Sequence, residues 1–197
     1  LLDNTLIIRT ADHGEMGLTH GGQRQKNFNF YEESIRIPLV YSNPRLYPAP
    51  RNTDAVVSHV DFLPPMASLF NAPAGARSPW QGVDYSRLLL DPSAQPVQDY
   101  IVFTYDDWQS GQKNGPYPTP PNHIASIREA RYKFAEYYGV NVGAESQYEM
   151  YDLQEDPLER ENIAYRLPDR STEYKLQYER LRLKLQAVKA QRLQPLG

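Results

Sequence analysis

Residues Asn4–Gly14 read Asn-Thr-Leu-Ile-Ile-Arg-Thr-Ala-Asp-His-Gly, and the reading of this stretch decides the fold. Thr5, Leu6, Ile7 and Ile8 are β-branched or apolar without a break, the pattern of a strand buried inside a sheet. Gly14 lets the chain turn sharply once Asp12 and His13 have been presented at the strand's carboxyl end. Ligands of open α/β sheets gather outside such strand ends, so Asp12 and His13 stand where an α/β enzyme would hold a metal. An ordinary strand followed by a polar turn is spelled the same way.

Working outward, residues 15–37 combine Gly17, Gly21 and Gly22 with His20 and Lys26, then reach Tyr31-Glu-Glu-Ser-Ile-Arg-Ile-Pro38. Glycines let backbone come close to a ligand, and an imidazole and an ammonium group suit an anion. The competing readings are an exposed loop histidine or helix cap for His20 and a solvated surface amine for Lys26.

Together, Asn4–Glu15, Lys26, Tyr31–Val40, Arg131–Tyr138 (Arg-Tyr-Lys-Phe-Ala-Glu-Tyr-Tyr) and Tyr148–Ala164 resemble the second half of type I sulfatases. They also resemble the related phosphonate and phosphodiester hydrolases of the alkaline phosphatase superfamily. The matches span nearly the whole chain in the family's order. The resemblance implies an α/β fold with a central mixed sheet flanked by helices, plus a small antiparallel-sheet α+β subdomain. It implies that Asp12 and His13 bind one divalent metal ion, Mn²⁺ or Ca²⁺. Calcium prefers oxygen and manganese accepts imidazole, so His13 leans toward manganese. It gives Lys26 the group being transferred. His20 takes the place of a histidine in the glycine-rich loop of many members, one that assists the leaving alkoxide if it lies close enough. Arg36 and His59 read as structural.

The family nucleophile is a formylglycine made from Cys or Ser in a Cys/Ser-x-Pro/Ala-x-Arg motif near the amino end of the enzyme. Neither the motif nor any cysteine occurs among the 197 residues. Ser42-Asn-Pro and Ser78-Pro-Trp do not restore the spacing. With a strand predicted almost at residue 1, the expectation is the carboxyl-terminal part of a longer hydrolase, whose upstream portion carries the nucleophile and is this chain's main partner.

Net charge is −3, and basic residues are scattered apart from Arg170–Arg192, which gives nucleic-acid binding little support. No apolar run approaches the roughly 18 residues of a membrane-spanning helix. The absence of cysteine removes disulfides and thiolate chemistry from this chain without choosing between cytoplasm and periplasm.

Residues 1–97 are expected to form the carboxyl-terminal part of the catalytic α/β domain. Within them a helix opens after Ser58 or Asp61 with proline in its first turn, burying Leu63, Met66, Ala67, Leu69 and Phe70. Residues 98–197 are expected to form the antiparallel subdomain, with strands at Tyr100–Tyr105, His123–Arg128, Tyr132–Tyr137 and Glu149–Leu153. The long Gly- and Pro-rich loop between the first two is of the kind that carries function. The resemblance implies a carboxyl-terminal subdomain that leans over the active site, which makes Trp108, Tyr117 and His123 candidates for the substrate rim; Asp106 and Asp107 are weaker candidates for cation ligands. From Ser171, an N-cap, apolar residues recur at Tyr174, Tyr178, Leu181, Leu185 and Val188. That helix docks on the sheet or joins two copies in a homo-oligomer.

The function expected of the complete protein is hydrolysis of small sulfate esters. Alternatives are a phosphonate monoester or phosphodiester hydrolase, a pseudoenzyme or binding domain, and a glycan-binding module built on the aromatic loop.

Overall fold

Strand β1 (Ile7–Thr10) pairs antiparallel with β2 (Leu39–Ser42), with Ile7 opposite Ser42 and Thr10 opposite Leu39. The structure, a computed structural model, describes residues 1–26, 28–73, 75, 80–91, 93–106, 121–139 and 144–193. The strand is where the sequence puts it, but it is not buried: Ile7 is 48% exposed and Val40 52%. Of the expected main sheet, β1 and β2 are the strands present among the described residues. A two-stranded ribbon cannot cover its own faces.

The chain divides into two compact units, Leu1–Asp12 with Ile37–Ile101, and His13–Arg36 with Val102–Gly197. In the first, buried Asn43 ties β2 to the amino-terminal segment: its Nδ2 donates to the Leu2, Asp3 and Thr5 carbonyls, and its Oδ1 accepts from the Arg45 and Leu46 amides. Asp61 closes a capping box with Ser58 and also accepts from the Val83 amide and the Gln98 side chain. A buried carboxylate requires such a full set of donors. Helix α3 (Leu63–Leu69) follows, with Pro64 and Pro65 in its first turn, where their missing N–H groups cost nothing. Its buried residues are Pro64, Pro65 and Ala67, whereas Leu63 and Phe70, expected inside, are exposed. The prolines occupy the face that a longer amphipathic helix would have given to leucine. His59 Nε2 contacts the Ala11 carbonyl at 2.8 Å, a structural role. Helix α4 (Ser86–Leu90) closes this unit.

The second unit is built on a four-stranded sheet in the order β3 (Tyr100–Asp106), β4 (His123–Glu129), β5 (Tyr132–Tyr138), β6 (Gln147–Asp152). The β4–β5 and β5–β6 pairs are antiparallel, with Ile127 opposite Phe134 and Phe134 opposite Met150. Side chains alternate between faces along each strand, so Phe134, Ile127 and Met150 share one face while Lys133, Ala135 and Tyr137 share the other. Both faces are covered, which is why β4 and β5 read as nearly continuous buried runs.

Helix α5 (Thr172–Arg192) covers the first face, burying Tyr178, Leu181, Leu185 and Val188 against β4 and β5. Ser171 caps it, its Oγ accepting from the Tyr174 amide. The helix thus docks on its own sheet. Segment 28–35 covers the second face, where Phe30 packs with Ile124, Ala135, Tyr137 and Tyr151. No helix among the described residues is long and apolar enough to cross a membrane.

Candidate functional site

Immediately after β1 the chain leaves the first unit: Asp12 is the last residue of that segment, and His13 opens the segment that packs on the second unit. The described geometry therefore starts at His13. Its Nδ1 lies 2.7 Å from the Gly14 carbonyl, and its Nε2 lies 2.5 Å from Lys26 Nζ. A carbonyl only accepts and an ammonium only donates. With these partners Nδ1 is placed to donate to the carbonyl and Nε2 to accept from the lysine.

Gly14 is required where it stands. Its amide donates to the Ser34 carbonyl at 2.8 Å, and a Cβ there would land on the Glu33 carbonyl oxygen. The turn after His13 is thereby pressed onto helix α2 (Glu32–Ile35).

Between Gly14 and Lys26 the chain makes one broken helical turn, α1 (Thr19–Gly22), in which His20 and Gly21 take left-handed conformations. This turn places His20 beside Tyr31 and Glu33. Its ring stacks on Tyr31 at 3.7 Å, and its Nε2 lies 3.4 Å from Glu33 Oε2. Glu159 completes the cluster. One ligand atom each from His20, Glu33 and Glu159 lies within 4.8 Å of the others, a group able to hold a metal ion.

Beneath this cluster is an ion network that sequence reasoning did not single out. Lys133 is 0% exposed, with Nζ 2.7 Å from Glu159 Oε1 and 3.3 Å from Glu32 Oε1, bonded to the Phe30 carbonyl and lying over the Phe30 ring. Arg128 Nη2 meets Glu32 Oε2 at 3.1 Å. Burial pushes the Glu32 carboxyl up, but Lys133 and Arg128 outweigh it and hold it below the ordinary range. Burial wins at Glu159, whose carboxyl is raised despite Lys133. It also wins at Glu149, which accepts from the Tyr137 hydroxyl at 2.9 Å. The available signal was Lys133 itself, a charged residue in a strand where apolar residues occupy both faces.

His123 belongs to a different cluster, at the start of β4. Its Nδ1 lies 2.7 Å from Asp106 Oδ1, and its ring stacks on Tyr138 at 5.3 Å. Trp108, Tyr117 and Asp107 lie outside the described residues. The structure thus brings His13 together with Lys26, and His20 with Glu33 and Glu159.

The family model described as N-sulphoglucosamine sulphohydrolase, C-terminal, matches residues 21–191. The chain is 30% identical over 169 residues to arylsulfatase K of Mus musculus, covering 86% of this chain and 28% of that protein. It is 27% identical over 165 residues to the Delta 4,5-hexuronate-2-O-sulfatase of Bacteroides thetaiotaomicron, covering 82% of this chain and 31% of that protein. The chain therefore spans under a third of these relatives. The fold is similar to that of the phosphonate monoester hydrolase of Agrobacterium radiobacter, with a TM-score of 0.72 and 23% identity, covering 96% of this chain and 36% of that one.

Proposed function

Because the chain belongs to the family of N-sulphoglucosamine sulphohydrolase C-terminal regions, we propose that it is the carboxyl-terminal part of a hydrolase that cleaves sulfate esters. The nucleophile, a formylglycine, is carried by an upstream portion of the same enzyme. Residues 1–97 contribute to the catalytic α/β domain, and residues 98–197 form an antiparallel-sheet subdomain with a long terminal helix.

The observation that supports this reading most directly is the convergence of His13 Nε2 and Lys26 Nζ, 13 positions apart in the chain and 2.5 Å apart in space. Lys26 neutralises charge on the oxygens of the group being transferred, where a fixed donor is worth most. Asp12 supplies a carboxylate and His13 an imidazole lone pair to a divalent ion. Nε2 would ligate only once Lys26 turns from it to the transferred group, because one lone pair cannot serve both. That donor set suits Mn²⁺ better than Ca²⁺. When bound, the metal supplies Lewis-acid polarisation of the ester oxygen. His20 is assigned to the leaving-group side, and Trp108, Tyr117 and His123 to the substrate rim.

A phosphonate monoester hydrolase is the second reading, favoured by the fold shared with such an enzyme. An aryl sulfate and a phenyl phosphonate assayed side by side on the full-length protein separate the two. Under either reading Lys26→Ala lowers kcat by about a hundredfold to a thousandfold, and Asp12→Ala removes tightly held metal. Unchanged turnover and metal content in those variants would overturn the site assignment. Absence of a formylglycine motif upstream would make the protein non-catalytic.

A further inference from the structure

We infer that Glu159, in the carboxyl-terminal tail, is a positioning residue for the His13 and Lys26 pair, acting through helix α2. The inference rests on the functional reading above for its kinetic arm only.

Helix α2 is a single turn of four residues, Glu32–Ile35, and its N-cap residue Tyr31 offers no side-chain cap. One turn is too short to persist without outside support. The support comes from 127 positions away, where Glu159 Oε2 accepts from the Glu32 amide at 2.6 Å, doing the work of an N-cap side chain. Glu159 is in turn fixed by Lys133, 2.7 Å away and fully buried in β5. Lys133 also holds the Phe30 carbonyl and the Glu32 carboxylate, so the backbone before α2 and the side chain at its start are gripped by one ammonium group.

The other end of α2 carries the consequence. The Ser34 carbonyl accepts from the Gly14 amide, and the Glu33 carbonyl fills the space where a Gly14 side chain would be. Gly14 follows His13 directly, and its own carbonyl orients the His13 ring. A shift of α2 along the sheet therefore moves the Gly14 peptide, turns the imidazole and changes its distance to Lys26. The path runs from Glu159 to the Glu32 amide, through one helical turn to the Ser34 carbonyl, and on to Gly14 and His13. Each link is a hydrogen bond or a backbone contact within the same unit. Misplacing reacting groups by about 1 Å from a distance costs on the order of a hundredfold in rate.

The test uses the full-length protein with Glu159→Ala, Glu159→Gln and a control, Arg131→Gln. Arg131 pairs with Asp152 on the same sheet without touching α2. Kinetics are read on whichever ester the parent hydrolyses, well below the melting temperature of every variant. Backbone hydrogen exchange is read over residues 13–26. The expected result for Glu159→Ala is a loss of roughly tenfold to a hundredfold in kcat, a much smaller change in KM, and faster exchange over 13–26. Glu159→Gln keeps an acceptor for the Glu32 amide and recovers part of both. Arg131→Gln lowers the melting temperature without either effect. Should Glu159→Ala not accumulate, Glu159→Gln against Arg131→Gln carries the same comparison. Equal kcat changes in the Glu159 and Arg131 variants, or unchanged exchange over 13–26 in the Glu159 variants, would overturn the inference. If the parent hydrolyses neither ester, the functional reading falls, and exchange alone decides the positioning role.

Discussion

The two faces of strand β5 are built from opposite chemistry. Toward helix α5 the strand presents Phe134, packed with Tyr148 and Tyr178 beside Leu181 and Leu185. The ions on this side lie at the rim, where Arg180 and Lys184 meet Glu129 and Lys189 meets Glu136. Toward segment 28–35 the same strand presents Lys133, between Glu32 and Glu159, with the Tyr137 and Glu149 pair nearby. An apolar face is adhesive and tolerant, since any well-filled packing gains about the same burial energy. A buried charge is stable only where its partners stand, so the ionic face fixes the placement of what it holds. The face that must place the turn carrying His13 is the ionic one.

This contrast can be broken first at Lys133. Lys133→Met leaves two carboxylates buried without their cation and is expected to destabilise by about 3–5 kcal/mol, measured by urea denaturation. Combining it with Glu159→Gln should recover part of that loss, a recovery that simple volume effects would not give. Leu181→Ala on the apolar face is expected to cost about 2–5 kcal/mol, with no recovery from any charge-neutralising second change.

The comparison is sharpened by pH at Glu149. Its folded-state pKa is raised by burial, so the folded protein holds that proton more tightly than the unfolded chain does. Its contribution to stability is complete below the ordinary carboxylate value of 4.5 and declines as pH rises through the raised one. Glu149→Gln should therefore raise the melting temperature at pH 8 and lose that advantage at pH 4. A constant gap at both pH values would show that Glu149 does not titrate differently on folding. The smallest effect belongs to the rim. Arg180→Gln removes a partly exposed pair while Lys184 still serves Glu129, and about 0–1 kcal/mol is expected.

Much of this was legible along the chain. The strands of the second unit, the capping Ser171 and the buried stripe of α5 follow from periodicity and cap chemistry, because strand alternation and helical spacing are local properties. Local signals also put Asp12 and His13 just after a strand and offered Lys26 as a group for an anion, without pairing it to His13. They failed at Leu63 and Phe70, where two prolines took the buried face, and at β1, whose apolar run is covered by no other described strand than β2. They held no sign that His20 meets Glu33 and Glu159, residues distant from it in the chain or across a turn.

The sequence by itself determined the type and order of the elements and the residues able to bind an anion or a metal, since each of these depends on a few neighbouring side chains. Only the tertiary structure decided that segment 13–36 packs with residues 102–197 rather than with the strands on either side of it in the chain. Only the tertiary structure, too, let a carboxylate at position 159 cap a helix at position 32. The reason is that buried charges choose partners by distance in space, and no local pattern along the chain encodes a pairing made across a sheet.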